Sequence, residues 1–299
     1  MTRSASRARP RRPRGCPSES RSVSFHHRDH RPFPCFRLAR DIPARAYASA
    51  SNRLKFLTDR SRMSETASAR AFFQPIVGVR TMSVVGFEAL ARFDDGVSPL
   101  DHLSAAEERG QRAQLELQLI EIAVDAAAAL PAAGFITLNV SPRTMAFPQL
   151  AETLRRCDRS WGLELFEDAE PEECLAIREQ VDELGGFLLI DDAGTGFADE
   201  KRIRQLRPDI VKIDRVVFWR SLSEADGRHR IESILDAAEE VGAHALVEGV
   251  EDEAQLDAVR ELEVGLAQGY HVGRPTPVDG IVEMLADLQR RVGVSASLV

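Results

Sequence analysis

From Phe72 onward, short apolar runs alternate with longer amphipathic ones. FFQPIVG and SVVGFEALARF read as two strands joined by a short turn. PLDHLSAAEERGQRAQLELQLIEIAVDAAAAL then sets Leu115, Leu119, Ile122 and Ala126 at helical spacing and is closed by Pro131. GFITLNVSP is a strand running into a turn, FPQLAETLRRC a helix, SWGLELFED a strand, and PEECLAIREQVDELGG a helix with Pro near its first turn and Gly at its end. The strands GFLLIDD, DIVKIDR and AHALVEGV follow, separated by the helices DEKRIRQLRP and LSEADGRHRIESILDAAEEVG. EDEAQLDAVRELE is a helix, GLAQGY a short strand and PVDGIVEMLADLQRR the closing helix. Strands mostly separated by helices predict an α/β fold, and about eight of them in roughly 235 residues suit a (β/α)8 barrel. A doubly wound open sheet is the alternative. Phosphate-loop fingerprints are absent: no GxGxxG follows a strand, and no GxxxxGKS or GxxxxGKT occurs.

Charge divides the chain. Residues 1–62 hold 16 Lys and Arg against 4 Asp and Glu, a net of +12, so the whole-chain value of -8 leaves -20 on residues 63–299. The head, Arg-, Ser- and Pro-rich as in SRARPRRPRG, lacks periodicity and reads as disordered. Its composition suits a basic nucleic-acid or membrane tail, or an organellar transit peptide; a start at Met63 would make it an upstream extension. The organisation expected is a head over residues 1–68, a barrel over 69–292 and a flexible tail over 293–299. An acidic body argues against non-specific affinity for DNA or anionic lipid. No run of eighteen apolar residues offers a transmembrane span. Cys16, Cys35, Cys157 and Cys174 show no CxxC spacing, so the expected compartment is a reduced cytoplasm.

Polar residues fall near the ends of the apolar runs. Glu88 lies in GFEALARF, Asn139 in ITLNVSP and Glu164 in GLELFED. Asp191 and Asp192 close LLIDD, Lys212 sits in DIVKIDR, Glu248 closes HALVEGV and Gln268 follows GLA. Taken singly, each has a bland explanation: a solvated strand end, an Asp turn before a Gly loop, a snorkelling lysine. In a barrel, however, the C-terminal strand ends converge on one mouth. Carboxylates gathered there raise one another's pKa unless a cation intervenes, and hard oxygen ligands select Mg2+ or Mn2+. The adjacent aspartates fit two ions, an arrangement suited to attack on a phosphodiester. Lys212 supplies positive charge for a water or phosphate oxygens, and Arg92 offers planar donors to a phosphate. His102, His229, His244 and His271 form no HExxH or HxH cluster, and Ser141 lacks a GxSxG elbow, so it reads as a turn or supporting hydroxyl.

These motifs together resemble the EAL domain, a family of bacterial cyclic-di-GMP phosphodiesterases. The resemblance runs from FFQPIV at Phe72 to QGYHVGRP ending at Pro275. It includes Glu88-Ala89-Leu90 followed by Ala91-Arg92, LNVS at Leu138 to Ser141, DDAGTG, VKID at Val211 to Asp214, and EGVE at Glu248 to Glu251. It implies a barrel whose first strand is antiparallel and hydrolysis of cyclic-di-GMP to linear pGpG. It assigns a first metal to Glu88, Asn139, Glu164 and Asp191, with Asp191 bridging to a second ion held by Asp192. Glu248 would organise the metal and water cluster. Lys212 would orient or activate the water, with Gln268 beside it. Gln74, Leu90, Arg92 and Asp214 would contact the ligand. Glu167 would steady the loop carrying Gly194, Thr195 and Gly196, a loop that often lies at a homodimer interface. The alternatives are a receptor for the same nucleotide without turnover, or a protein-interaction regulator.

The chain departs from the family in two places. Phe166, in ELFE, stands where the family has Thr, and Ala193, in DDAG, where it has Phe. A buried Phe-to-Ala change costs about 3–5 kcal/mol in a fixed core, and the expectation is that Phe166 fills the volume from the neighbouring strand. The segment after Glu164 is about three residues shorter than usual, as for a trimmed helix. With no cyclase-type GGDEF motif and no room for a folded sensory domain ahead of the body, regulation is expected from dimerisation, expression or a separate partner.

Overall fold

The computed structural model describes residues 68–131, 134–165, 171–194 and 199–292. The hairpin β1 (Ala69–Gly78) and β2 (Ser83–Phe93) opens the body. There follow α1 (Pro99–Glu108), α2 (Arg112–Ala127), β3 (Phe135–Val140), α3 (Pro142–Met145), α4 (Pro148–Arg156), β4 (Trp161–Leu165) and α5 (Pro171–Leu184). The second half comprises β5 (Phe187–Ala193), α6 (Asp199–Leu206), β6 (Ile210–Ile213), α7 (Arg215–Ser221), α8 (Ala225–Val241), β7 (His244–Val247), α9 (Glu253–Glu261), β8 (Leu266–Ala267), β9 (Thr276–Pro277) and α10 (Ile281–Val292).

Strands β2 to β8 lie in chain order, each parallel to the next. β1 closes the ring antiparallel to both β2 and β8, and the two residues of β9 add to its edge. The result is a closed eight-stranded barrel with an antiparallel first strand. Its inner strands are buried on both faces, as parallel strands covered by helices must be; β4 and β6 are buried at every position.

Strand alternation sorts the side chains. Trp161, Leu163 and Leu165 of β4, with Val211 and Ile213 of β6, join the layer packed against the helices. The alternate positions face the barrel interior. At the lower end Phe135 and Phe187 meet edge to face at 5.0 Å. A Cβ on Gly86 or Gly162 would reach within 2.4 Å of those rings, so the two glycines leave them room. Two residues further along each strand the interior positions turn polar: 162 leads to Glu164, 189 to Asp191, 210 to Lys212, 246 to Glu248 and 266 to Gln268. The barrel is thus packed with apolar groups below and polar ones above.

Several elements differ from expectation. The long helix expected over 99–130 breaks at Gly110, which takes the left-handed φ of +67° that glycine adopts freely. In α2 the buried face is Glu116, Leu117, Ile120, Ala123, Val124 and Ala127. The expected stripe of Leu115, Leu119, Ile122 and Ala126 is only half-buried: Leu119 and Ile122 line a cavity, and Ile122 and Ala126 also pack against the core. The strand read through Arg215 stops at Ile213, and RVVFWRS forms α7, capped by Asp214, whose carboxylate accepts from Val216 N and Val217 N. GLAQGY contributes only Leu266 and Ala267 as strand. The expectations for residues 1–67, for a start at Met63 and for the tail 293–299 fall outside the described residues. No described helix is long and apolar enough to cross a membrane.

Candidate functional site

The upper interior layer converges on one ammonium. Lys212 Nζ lies 2.7 Å from Glu164 Oε2, 2.8 Å from Asp191 Oδ1, 2.8 Å from Glu248 Oε1 and 3.6 Å from Glu88 Oε1. Lys212 is 1% exposed and Glu164 wholly buried. Around this centre Gln268 Nε2 donates to Glu88 Oε2 at 2.6 Å and to Gln74 Oε1 at 3.1 Å. Gln74 Nε2 donates to Gly273 O at 3.1 Å, and Asn139 Nδ2 donates to Glu88 Oε1 at 3.3 Å. Most of these residues sit at or just beyond the ends of β3 to β8. Glu88 is the exception: it lies within β2, opposite Gln74, because β2 runs on past the mouth while paired with the start of β1.

Adjacent residues of a regular strand point to opposite faces, which would separate Asp191 from Asp192. The ladder between β5 and β6 shifts register between Ile190 and Ala193, and Asp192 takes a φ of +52°. This bulge turns both carboxylates to the mouth. Asp191, Asp192 and Glu248 each offer an oxygen, all within 4.8 Å of one another. A left-handed aspartate costs backbone energy, and such strain collects at functional sites.

The electrostatics suit a divalent cation. Burial pushes the Glu164 carboxyl well above the usual carboxylate range; Glu88 and Asp191 add to this and Lys212 opposes it. Burial likewise raises Glu248 to about 8, again with Lys212 opposing and Asp191 and Glu88 adding. Asp192 is raised by burial and then by Asp191 and Asp214. For Lys212, burial alone would favour the neutral amine, but its four carboxylate neighbours outweigh that and hold it charged, well above the normal lysine range. One ammonium among so many acids leaves them under-compensated. Glu164 Oε1 is buried with no hydrogen-bond partner among the described residues. The donor set is hard oxygen, so a divalent cation fits it.

Two cavities share Leu90, Asp191 and Asp192. The acid-lined one, about 400 Å³, includes Gln74, Glu88, Lys212, Asp214, Glu248 and Gln268. It also includes Arg215, Glu251 and Tyr270, which sequence reading did not single out. Arg215 lies 5.7 Å over the Trp219 ring and Arg274 lies 3.9 Å over that of Tyr270, so the exposed rim carries cations and aromatics. Arg215 was hidden because the strand signal of VKID ran straight into it. The second cavity, about 280 Å³, is mostly apolar and is lined by Leu100, Leu103, Leu119 and Ile122, with Arg70 and Arg92 at its edge. Arg92 faces this apolar cavity; it lies 5.7 Å over the Phe72 ring and donates to Ala91 O at 2.7 Å. Asp214 lines the acid cavity while its Oδ1 caps α7. Gly194 holds a φ of +110°, and a Cβ there would meet Val217 at 2.4 Å. Ala193 is fully buried. Phe166, Glu167, Thr195 and Gly196 fall outside the described residues.

Comparison with known proteins points the same way. The family model described as the EAL domain matches residues 59–275. The chain is 30% identical over 236 residues to an uncharacterized protein of Azorhizobium caulinodans, covering 72% of this chain and 32% of that protein. It is 27% identical over 233 residues to the probable cyclic di-GMP phosphodiesterase PdeG of Escherichia coli, covering 72% of this chain and 46% of that one. Among solved structures, the MucR phosphodiesterase of Pseudomonas aeruginosa in complex with c-di-GMP is similar with a TM-score of 0.64 and 26% identity, covering 71% of this chain and 99% of that one. The chain spans less than half the length of these two curated relatives.

Proposed function

The chain belongs to the EAL-domain family, and on that premise we propose that it hydrolyses one phosphodiester bond of cyclic-di-GMP, giving linear pGpG. The observation that carries the reading is the meeting of Glu88, Glu164, Asp191 and Glu248, from four different strands, around the buried Lys212 ammonium. The phosphodiesterase named among the relatives, and the likeness to a c-di-GMP complex, support the choice of substrate.

In this reading Glu88, Asn139, Glu164 and Asp191 would hold one Mg2+ or Mn2+, Asp191 and Asp192 would serve a second, and Glu248 would complete the set. When bound, such ions polarise a phosphoryl oxygen and lower the pKa of a water. Gln268 fixes Glu88 by donating to its Oε2, so this carboxylate enters the site already oriented. Lys212 moves from compensating carboxylates to donating toward the attacking water or the phosphate oxygens. Gln74, Leu90 and Asp214 would form the wall that receives the nucleotide, and Arg92, in the adjoining cavity, would leave the Ala91 carbonyl to offer planar donors to its non-reacting phosphate. The mostly apolar cavity lies on the other side of Leu90.

The test is incubation of the full chain with cyclic-di-GMP and Mg2+ or Mn2+, following linear product. Turnover that Glu88→Ala abolishes is the expected result. Tight binding without product would choose a receptor, and neither binding nor product would leave a protein-interaction regulator.

A further inference from the structure

Glu116 stands out as an acid on the buried face of α2, which it shares with Leu117 and Ile120, with only 4% exposure. It lies outside the cluster around Lys212, and none of the roles above falls to it. Its carboxylate is nonetheless saturated. Oε1 accepts from Arg112 Nε at 2.9 Å. Oε2 accepts from Ser141 N at 3.0 Å, Ser141 Oγ at 2.6 Å and Thr144 Oγ1 at 2.6 Å. Ser141 occupies the N-cap position of α3, yet its side chain makes no capping bond there; the hydroxyl is turned to Glu116 instead. Bonds to an ionised oxygen are the strong ones, so the helix grips the exit of β3 at both backbone and side chain.

Ser141 lies two residues beyond Asn139, just past the end of β3 and at the N-cap of α3. Asn139 is the residue through which β3 enters the site, its Nδ2 on Glu88 Oε1. Glu116 also lines the apolar cavity together with Asn139 and Asp191. We infer that Glu116 is a positioning residue: by clamping the Ser141 turn from the helix side, it fixes the aim of the Asn139 amide and thereby the site's grip on a divalent cation. This rests on the reading of Asn139 as a metal-holding residue. Glu116→Gln keeps one accepting oxygen for Ser141 and Thr144 but sets an amide NH2 against Arg112, so it is a graded lesion; Glu116→Ala removes the clamp.

The experiment is a double-mutant cycle read by calorimetric Mn2+ binding to the full chain, with no nucleotide present. Loss of a group that orients a metal ligand typically weakens affinity about 10- to 100-fold. Glu116→Ala is expected to weaken Mn2+ binding by about tenfold, and Glu116→Gln by less. In an Asn139→Ala background neither substitution should weaken it further, because the residue through which Glu116 acts is gone. An equal loss in both backgrounds, or unchanged Mn2+ affinity in a folded Glu116→Ala chain, would overturn the inference. If Glu116→Ala does not fold, Glu116→Gln and Ser141→Ala run the same cycle. Failure of the unmodified chain to bind Mn2+ overturns the inference together with the metal assignment. A chain that binds Mn2+ but leaves cyclic-di-GMP intact loses the phosphodiesterase reading alone, and the cycle still decides Glu116.

Discussion

Replacing Lys212 with methionine keeps most of the length and bulk of the side chain and removes its ammonium. The ammonium has close ion pairs to Glu164, Asp191 and Glu248, and Glu88 lies a little further out. In the metal-free protein that leaves four acids facing one another with nothing to balance them. Removing one partner of a buried ion pair costs about 3–5 kcal/mol. The loss does not grow with the number of acids, because they take up protons in response; Glu248 already holds its proton up to about pH 8. For a domain of this size each kcal/mol shifts the melting temperature by about 2–4 °C, so Lys212→Met should melt roughly 6–20 °C lower in chelator at pH 8. Added Mn2+ supplies the missing positive charge, so it should raise the melting temperature more in the variant than in the parent. Thermal melts of both proteins, with EDTA and with Mn2+, give the comparison. An unchanged melting temperature in chelator, or equal Mn2+ shifts in the two proteins, would refute the account of Lys212 as the site's internal counter-ion.

Other perturbations test separate links. Glu248 titrates at about 8 in the folded metal-free chain against about 4.5 in the unfolded one. The folded state therefore binds more protons between those values, and stability falls as pH rises through that window. In chelator, urea melts at pH 5.5 and pH 8 should show a fall that Glu248→Gln reduces; an equal fall in both proteins would contradict the assignment. Ca2+ prefers ligand distances of about 2.3–2.6 Å against about 2.0–2.1 Å for Mg2+, so excess Ca2+ should suppress turnover, and undiminished rates would count against a tightly set metal site. Gly269 holds a φ of +154°, and a Cβ there would sit 2.2 Å from Val250 O. Gly269→Ala should cost about 1–3 kcal/mol in a urea melt and lower turnover by displacing Gln268; full stability and activity would show that the backbone yields freely there.

Much of the barrel was legible because its interior alternates so regularly. An apolar or small residue followed two places later by a polar one recurs at Gly162 and Glu164, Leu189 and Asp191, Ile210 and Lys212, Leu246 and Glu248, and Leu266 and Gln268. That period of two, repeated between amphipathic helices, identifies both the strands and the end at which their chemistry lies. What the pattern could not give was anything set by a local break in it. The bulge that turns Asp192 toward Asp191 violates the alternation that made β5 readable. The helix α7 begins directly after a strand, and its apolar Val216, Val217, Phe218 and Trp219 carry too short a period to separate from one. In α2 two apolar stripes run side by side, one buried and one half-buried, so spacing alone chose the less buried of them. Glu116 was hidden for the same reason: its burial depends on Ser141 and Thr144, which belong to another element.

The most direct measurement of the central claim is anomalous diffraction from crystals of the full chain soaked in Mn2+. The account predicts two peaks a few ångströms apart, one among Glu88, Asn139, Glu164 and Asp191 and the other shared by Asp191 and Asp192, with the Lys212 ammonium displaced from at least one carboxylate. A mouth without anomalous signal at saturating Mn2+, with Lys212 still bound to Glu164, Asp191 and Glu248, would contradict it.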